Sequence, residues 1–160
     1  MNYRTDDVIA LIRGNIYYSI SEAPSTTASV SGTSIAPENK ILVVDDEKDI
    51  AKLFEFTLKN NGFIVDVFND PQLALSNYRP GKYNLLLLDV KMPYMDGFEL
   101  FKRIRKIDQE AKVCFITAFE EYEKEYKKHF PDLRHNCFIK KPIELSQLVN
   151  IIRSHLDNNN

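Results

Sequence analysis

The chain has 160 residues, of which 44% are hydrophobic and 28% charged, an ordinary globular balance with room for one substantial core. Its 21 basic and 23 acidic residues leave a net charge of −2, which argues against a protein whose affinity comes from neutralising a nucleic-acid backbone. No apolar run is long enough to cross a bilayer, Asp6 and Asp7 stand where a secretion signal carries positive charge, and two cysteines are too few for a disulfide framework. A cytoplasmic protein is expected.

Residues 1–18 read as an N-terminal extension. Val8, Leu11, Ile12 and Ile16 fall at helical spacing behind Thr5 as N-cap. Residues 19–37 read as a flexible linker, because eight of the seventeen residues from Ser21 to Pro37 are serine or threonine and bury too little to offset ordering. The folded domain is expected over 38–160.

Ile41-Leu42-Val43-Val44 has the continuous apolarity of a strand buried on both faces. A helix follows with Ile50, Leu53, Phe54 and Leu58 on one side, ended by Asn60-Asn61-Gly62. Ile64 to Phe68 is the second strand, and Leu73, Ala74 and Tyr78 mark the second helix. Leu85-Leu86-Leu87-Leu88 is the most apolar run and predicts a central third strand. A helix over about 97–107 leads to the strand Val113-Cys114-Phe115-Ile116. A charged helix from about Glu120, the strand Cys137-Phe138-Ile139 and a last helix with Leu145, Leu148, Val149, Ile152 and Leu156 complete the pattern. Short apolar strands alternating five times with amphipathic helices predict an α/β fold: a doubly wound, five-stranded parallel sheet.

Ligands of such a sheet bind beyond the carboxyl ends of its strands. The residues there are Asp45, Asp46 and Glu47 after the first strand, Asp89 after the third, Thr117 after the fourth, and Lys140 and Lys141 after the fifth. Helix capping explains one or two acids, but three around one cleft repel one another and call for a hard divalent cation. Mg²⁺ suits them, a lysine and a hydroxyl suit a phosphoryl group, and Asp89 is placed as the nucleophile of an aspartyl-phosphate reaction.

Four stretches now stand in order: Ile41-Leu42-Val43-Val44-Asp45-Asp46-Glu47, Leu87-Leu88-Asp89-Val90-Lys91-Met92-Pro93 with Asp96-Gly97, Ile116-Thr117-Ala118, and Phe138-Ile139-Lys140-Lys141-Pro142. With these the chain from about Lys40 to Leu156 resembles the receiver domain of two-component response regulators. The resemblance implies a flavodoxin-like (βα)5 fold with strand order 2-1-3-4-5. It implies that Asp89 accepts a phosphoryl group from the phosphohistidine of a sensor histidine kinase or phosphotransfer protein. It further implies Mg²⁺ held by Asp46, Asp89 and the backbone carbonyl of Lys91, with Asp45 acting largely through water. Thr117 and Lys141 would contact the phosphoryl group, Phe138 would occupy the aromatic switch position, and the Lys141-Pro142 bond would be cis. Output would pass to a downstream protein through the fourth helix, fifth strand and fifth helix, or through homodimerisation on phosphorylation. With 18 residues after Pro142 and 37 before the domain, no separate output domain is expected, and no direct nucleic-acid or membrane contact is expected.

The sequence departs from the family pattern in three places. Phe138 lacks the hydroxyl of the more common tyrosine, Tyr94 stands where glycine is frequent, and Tyr122 to Asn136 is long for the fourth helix and its loop. The alternative is a haloacid-dehalogenase-type phosphatase, which needs an acid two residues after the nucleophile. Lys91 stands there and disfavours it. Lys91 and Phe119 are placed to shield an aspartyl phosphate from water. Cys114 and Cys137 read as small apolar core residues in reduced form, on neighbouring strands. His129, His135 and His155 lack ligand spacing, and Lys102, Arg103, Arg105 and Lys106 read as a solvated helix face. Phe119, Tyr122, Tyr126 and Phe130 form an aromatic stripe on the charged helix, part core and part partner surface.

Overall fold

The computed structural model describes residues 39–119 and 137–157. Five parallel strands, β1 (Lys40–Val44), β2 (Ile64–Phe68), β3 (Leu85–Asp89), β4 (Val113–Thr117) and β5 (Cys137–Lys140), form one sheet in the order β2-β1-β3-β4-β5. Four helices are described: α1 (Lys48–Asn60), α2 (Pro71–Asn77), α3 (Gly97–Ile107) and α4 (Leu145–Asp157). The last of these is the fifth helix expected from sequence. The expected fourth helix, with Tyr122, Tyr126, His129, Phe130 and His135, lies outside the described residues, as do the N-terminal extension and the linker.

Alternation along each strand divides the interior into two cores. Ile41, Val43, Leu85, Leu87, Cys114, Ile116, Cys137 and Ile139 face the layer of α1 and α4, where Phe54, Leu58, Leu148 and Ile152 pack on them. Leu42, Val44, Leu86, Leu88, Val113 and Phe115 face the layer of α3, with Leu100, Phe101 and Ile104. The strand runs are apolar throughout because both faces are covered, which is the reason a parallel sheet of this kind lacks polar alternation. The expected face of α1, Ile50, Leu53, Phe54 and Leu58, is buried throughout.

Aspartates open two helices. The Asp70 carboxylate accepts from the backbone N–H groups of Gln72 and Leu73 at the start of α2, and Asp96 accepts from Glu99 at the start of α3. Two expectations fail in this part of the structure. Leu73 is exposed, because a helix of seven residues buries only one row, here Pro71 and Ala74, and Tyr78 is buried beyond its end. Cys114 and Cys137 are core residues, but they are joined by a disulfide rather than held as free thiols. The β4–β5 register makes them direct partners on one face of the sheet, a placement that spacing along the chain does not reveal.

Phe54 is fully buried in the α1 layer. Phe54→Ala is expected to cost about 3–5 kcal/mol through lost burial and the cavity left behind, measured as a lower urea midpoint at unchanged slope.

Candidate functional site

The sheet order brings the carboxyl ends of β1, β3, β4 and β5 to one edge. Asp45 follows β1, Asp89 ends β3, Thr117 ends β4, and Lys141 follows β5. Their exposures are 1%, 6%, 4% and 5%, and among the described residues Asp45, Asp89 and Lys141 are the buried side chains that carry a carboxylate or an amine. The Lys141 ammonium sits between the two carboxylates, 2.8 Å from Asp45 Oδ2 and 2.8 Å from Asp89 Oδ1. Glu47 lies farther out, 3.8 Å from the same nitrogen. Asp46 is half-buried beside them, while Glu47, Lys91 and Lys140 are exposed.

Local backbone bonds hold each group in place. Asp45 Oδ1 accepts from Glu47 N–H at 2.9 Å, which turns the chain from β1 into α1. The Asn69 side-chain amide donates to the Asp45 carbonyl at 2.7 Å. Lys141 N–H donates to the Thr117 carbonyl at 2.8 Å, so β4 sets where the lysine begins. The Lys141-Pro142 bond is cis, as expected. Val90 N–H donates to the Ile116 carbonyl, and Gly97 N–H reaches the Val90 carbonyl at 3.0 Å. A Cβ at Gly97 would collide with the Asp89 carbonyl oxygen. Only glycine lets α3 start this close to the end of β3.

Burial sets the charge states. It raises both Asp45 and Asp89 above the ordinary aspartate range, against the opposing pull of Lys141. Asp89 is pushed up to about 6 by desolvation, with smaller contributions from the negative charges of Asp45 and Asp46. Burial disfavours charge on Lys141 as well, but the two carboxylates outweigh it and hold the ammonium firmly protonated. Three buried or half-buried carboxylates facing one lysine therefore leave excess negative charge from hard oxygen donors. That donor set fits a small divalent cation.

Around this centre, the Thr117 hydroxyl accepts from Phe119 N–H at 3.2 Å. The Lys91 ammonium lies 5.0 Å from the centroid of the Phe119 ring, a cation–π contact at the rim. Phe138 is half-buried on the opposite face of β5 from Cys137 and Ile139, with its ring 5.5 Å from Phe115 and 6.2 Å from Phe98. Tyr94 is 97% exposed and adopts φ 66°, the left-handed backbone that glycine occupies at no steric cost. Asn69 escaped the sequence reading. It is the residue directly after β2, and the same rule that singled out the ends of the other strands points to it.

Removing the lysine tests this electrostatic arrangement. Lys141→Met is expected to cost about 3–5 kcal/mol at neutral pH, because two buried carboxylates lose their partner. Their folded-state pKa values then rise further above the unfolded value. Protonation favours the folded form, so the penalty shrinks as pH falls through those raised values. Urea midpoints of wild type and variant, compared in neutral and mildly acidic buffer, check both size and sign.

The chain matches the family model of the response regulator receiver domain over residues 41–153. It is 35% identical over 115 residues to the transcriptional regulatory protein DltR of Streptococcus agalactiae, covering 71% of this chain and 50% of that protein. It is 32% identical over 117 residues to the response regulator receiver protein CpdR of Brucella abortus, covering 73% of this chain and 96% of that one. The chain spans about half the length of the first curated relatives it matches. The structure of response regulator TrrA from Thermotoga maritima, in complex with Mg²⁺ and BeF, superposes with TM-score 0.64 at 29% identity over 73% of this chain and 98% of that one. Among the described residues no helix is long and apolar enough to cross a membrane. With the 2-1-3-4-5 sheet, the buried acid–lysine centre at its carboxyl edge and these matches, the chain belongs to the response regulator receiver domain family, a family of signalling switches.

Proposed function

We propose that the protein is a phosphorylation-activated switch that takes a phosphoryl group from the phosphohistidine of a sensor histidine kinase or phosphotransfer protein onto Asp89. The observation that carries this reading is the Lys141 ammonium, held 2.8 Å from both Asp45 and Asp89 in a buried cleft. An Asp89 oxygen forms the new bond to phosphorus while the phosphorus–nitrogen bond of the donor breaks, and the donor imidazole keeps the electron pair. For this Asp89 must be ionised, and its pKa near 6 keeps it so at neutral pH. Asp45, Asp46, Asp89 and the Lys91 carbonyl are the groups that would hold Mg²⁺. When bound, the ion offsets charge on the phosphoryl oxygens. Lys141 then pairs with the phosphoryl group that Asp89 carries, and Thr117 hydrogen-bonds it.

The consequence of acceptance is a change of partner for two side chains. Thr117 Oγ1 gives up its bond from Phe119 N–H, and Lys141 is drawn from Asp45. Thr117 ends β4 and Lys141 directly follows β5, the strands on which Phe138 rests on Phe115 at the α3 side. Movement of Phe138 would alter the surface formed by the expected fourth helix, β5 and α4, through which a downstream protein or a second copy of the chain is engaged. The chain acts in this reading as its own phosphoacceptor and not as an enzyme on other substrates. The phosphatase reading has less support, because the exposed Lys91 occupies the place of the required acid.

Two predictions test it. Incubated with acetyl phosphate and Mg²⁺, the protein should gain the mass of one phosphoryl group; Asp89→Asn should not, and Asp46→Ala should lose the metal dependence and the gain together. A wild type that stays unmodified, or an Asp89→Asn protein that is still modified, would refute the assignment. We infer that the phosphorylated form is long-lived, shielded from a hydrolytic water by Lys91, whose ammonium lies over the Phe119 ring. Lys91→Asn and Phe119→Glu are each expected to accelerate its decay by about tenfold, the equivalent of 1.4 kcal/mol of barrier, followed as the loss of the phosphorylated mass with time.

A further inference from the structure

Cys114, Cys137 and His155 have no part in the chemistry above. Cys114 is the second residue of β4 and Cys137 the first of β5. The two are register partners in the parallel ladder, with Cα atoms 4.3 Å apart and a sequence separation of 23. Both are buried, at 0% and 4% exposure, in the layer covered by α4. His155, in the last turn of α4, is half-buried. Its ring lies against the Ile151 carbonyl at 3.3 Å, and its nearest nitrogen and both sulfurs all fall within 4.8 Å of one another. Two sulfurs and an imidazole, drawn from three separate elements, thus meet at one point beneath the edge strand of the sheet.

Their place in the fold gives the pair leverage over the switch. Thr117 lies three residues beyond Cys114 on the same strand, about 10 Å away at the rise of a β-strand. Phe138 adjoins Cys137, and Lys141 follows the same strand. A covalent bond between Cys114 and Cys137 therefore ties together, at their amino ends, the two strands whose carboxyl ends hold the site. It also closes a loop around residues 115–136, the stretch in which the sequence places the fourth helix. Closing a loop lowers the freedom of everything within it.

We propose that Cys114 and Cys137, with His155 as their proton acceptor, form a reversible dithiol–disulfide site whose oxidation restrains the β4–β5 pair and weakens the response to phosphorylation. The oxidant is hydrogen peroxide. The imidazole takes a thiol proton, and the thiolate sulfur attacks one peroxide oxygen. The oxygen–oxygen bond breaks, and the departing hydroxide is protonated to water. The second thiol then attacks the resulting sulfenic sulfur. The sulfur–oxygen bond breaks, and that hydroxide leaves as a second water with the remaining thiol proton. The two sulfurs give up two electrons and the peroxide accepts them. A small dithiol reverses the step by exchange. Burial of both sulfurs makes oxidation slow, because access depends on opening of the last turn of α4.

The control over the response rests on the switch reading above; the disulfide chemistry does not, so the two are separable. The full chain is reduced, desalted, exposed to hydrogen peroxide, unfolded in N-ethylmaleimide and weighed, in wild type and in Asp89→Asn. Both proteins should lose two hydrogens and take no adduct after peroxide, and should take two adducts after dithiothreitol. Two adducts under both conditions, oxygen additions in place of hydrogen loss, or a zinc ion retained one per reduced chain would each overturn the proposal. His155→Gln should slow oxidation about tenfold without changing its end point; an unchanged rate removes the imidazole from the step. Amide exchange over residues 137–140, with and without beryllofluoride, reads the control. Reduction should speed exchange there by about thirtyfold, the lower end of a disulfide's usual effect, and should enlarge the change that beryllofluoride produces. Equal changes in both redox states would show that the bond does not govern the switch.

Discussion

One buried lysine between two buried carboxylates organises this molecule. The interaction is costly to assemble, since each of the three charges loses water, and it holds only because Lys141 meets Asp45 and Asp89 at equal distances of 2.8 Å. The pair of contacts fixes where β5 ends relative to β1 and β3, although β4 separates β3 from β5 in the sheet. The Lys141 N–H bond to the Thr117 carbonyl adds β4 to the same junction. Four of the five strands thus have their carboxyl ends registered through one residue.

The two cores serve that junction from below. Side chains alternate between the α1–α4 layer and the α3 layer along every strand, so the strands are held on both faces and their ends are positioned rigidly. Gly97 lets α3 start directly against the Asp89 carbonyl, and the Asn69 amide holds the Asp45 carbonyl. A frame packed on both faces is what lets buried like charges stand close together around one lysine.

Aspartates elsewhere show how strongly position decides. Asp66 on β2 is also partly desolvated, but hydrogen bonds from Lys82, Tyr83 and Lys40 outweigh that and hold its pKa at about 2. Asp89 has one lysine, shared with Asp45, and a second and third negative charge nearby, and its pKa sits at about 6. The same side chain is thereby a permanent anion in one place and a group that titrates close to neutrality in the other.

The sequence by itself determined the strands, most of the helices and which polar residues stand at the carboxyl edge of the sheet. Their signals are local: unbroken apolar runs such as Leu85–Leu88, helical spacing in α1, and polar residues directly after each run. The order of the strands came from resemblance, and the structure agrees with it. What only the tertiary structure decided are the relations between residues far apart in the chain. Lys141 bridges Asp45 across 96 positions, Asn69 reaches back across 24 to the Asp45 carbonyl, and Leu73 is exposed although its spacing placed it inside. The register of β4 against β5 turned two cysteines read as separate core thiols into bonded partners beside His155. Periodicity reports which face a residue takes within its own element, whereas register and crossover geometry, set by packing of the whole sheet, report which residue it meets.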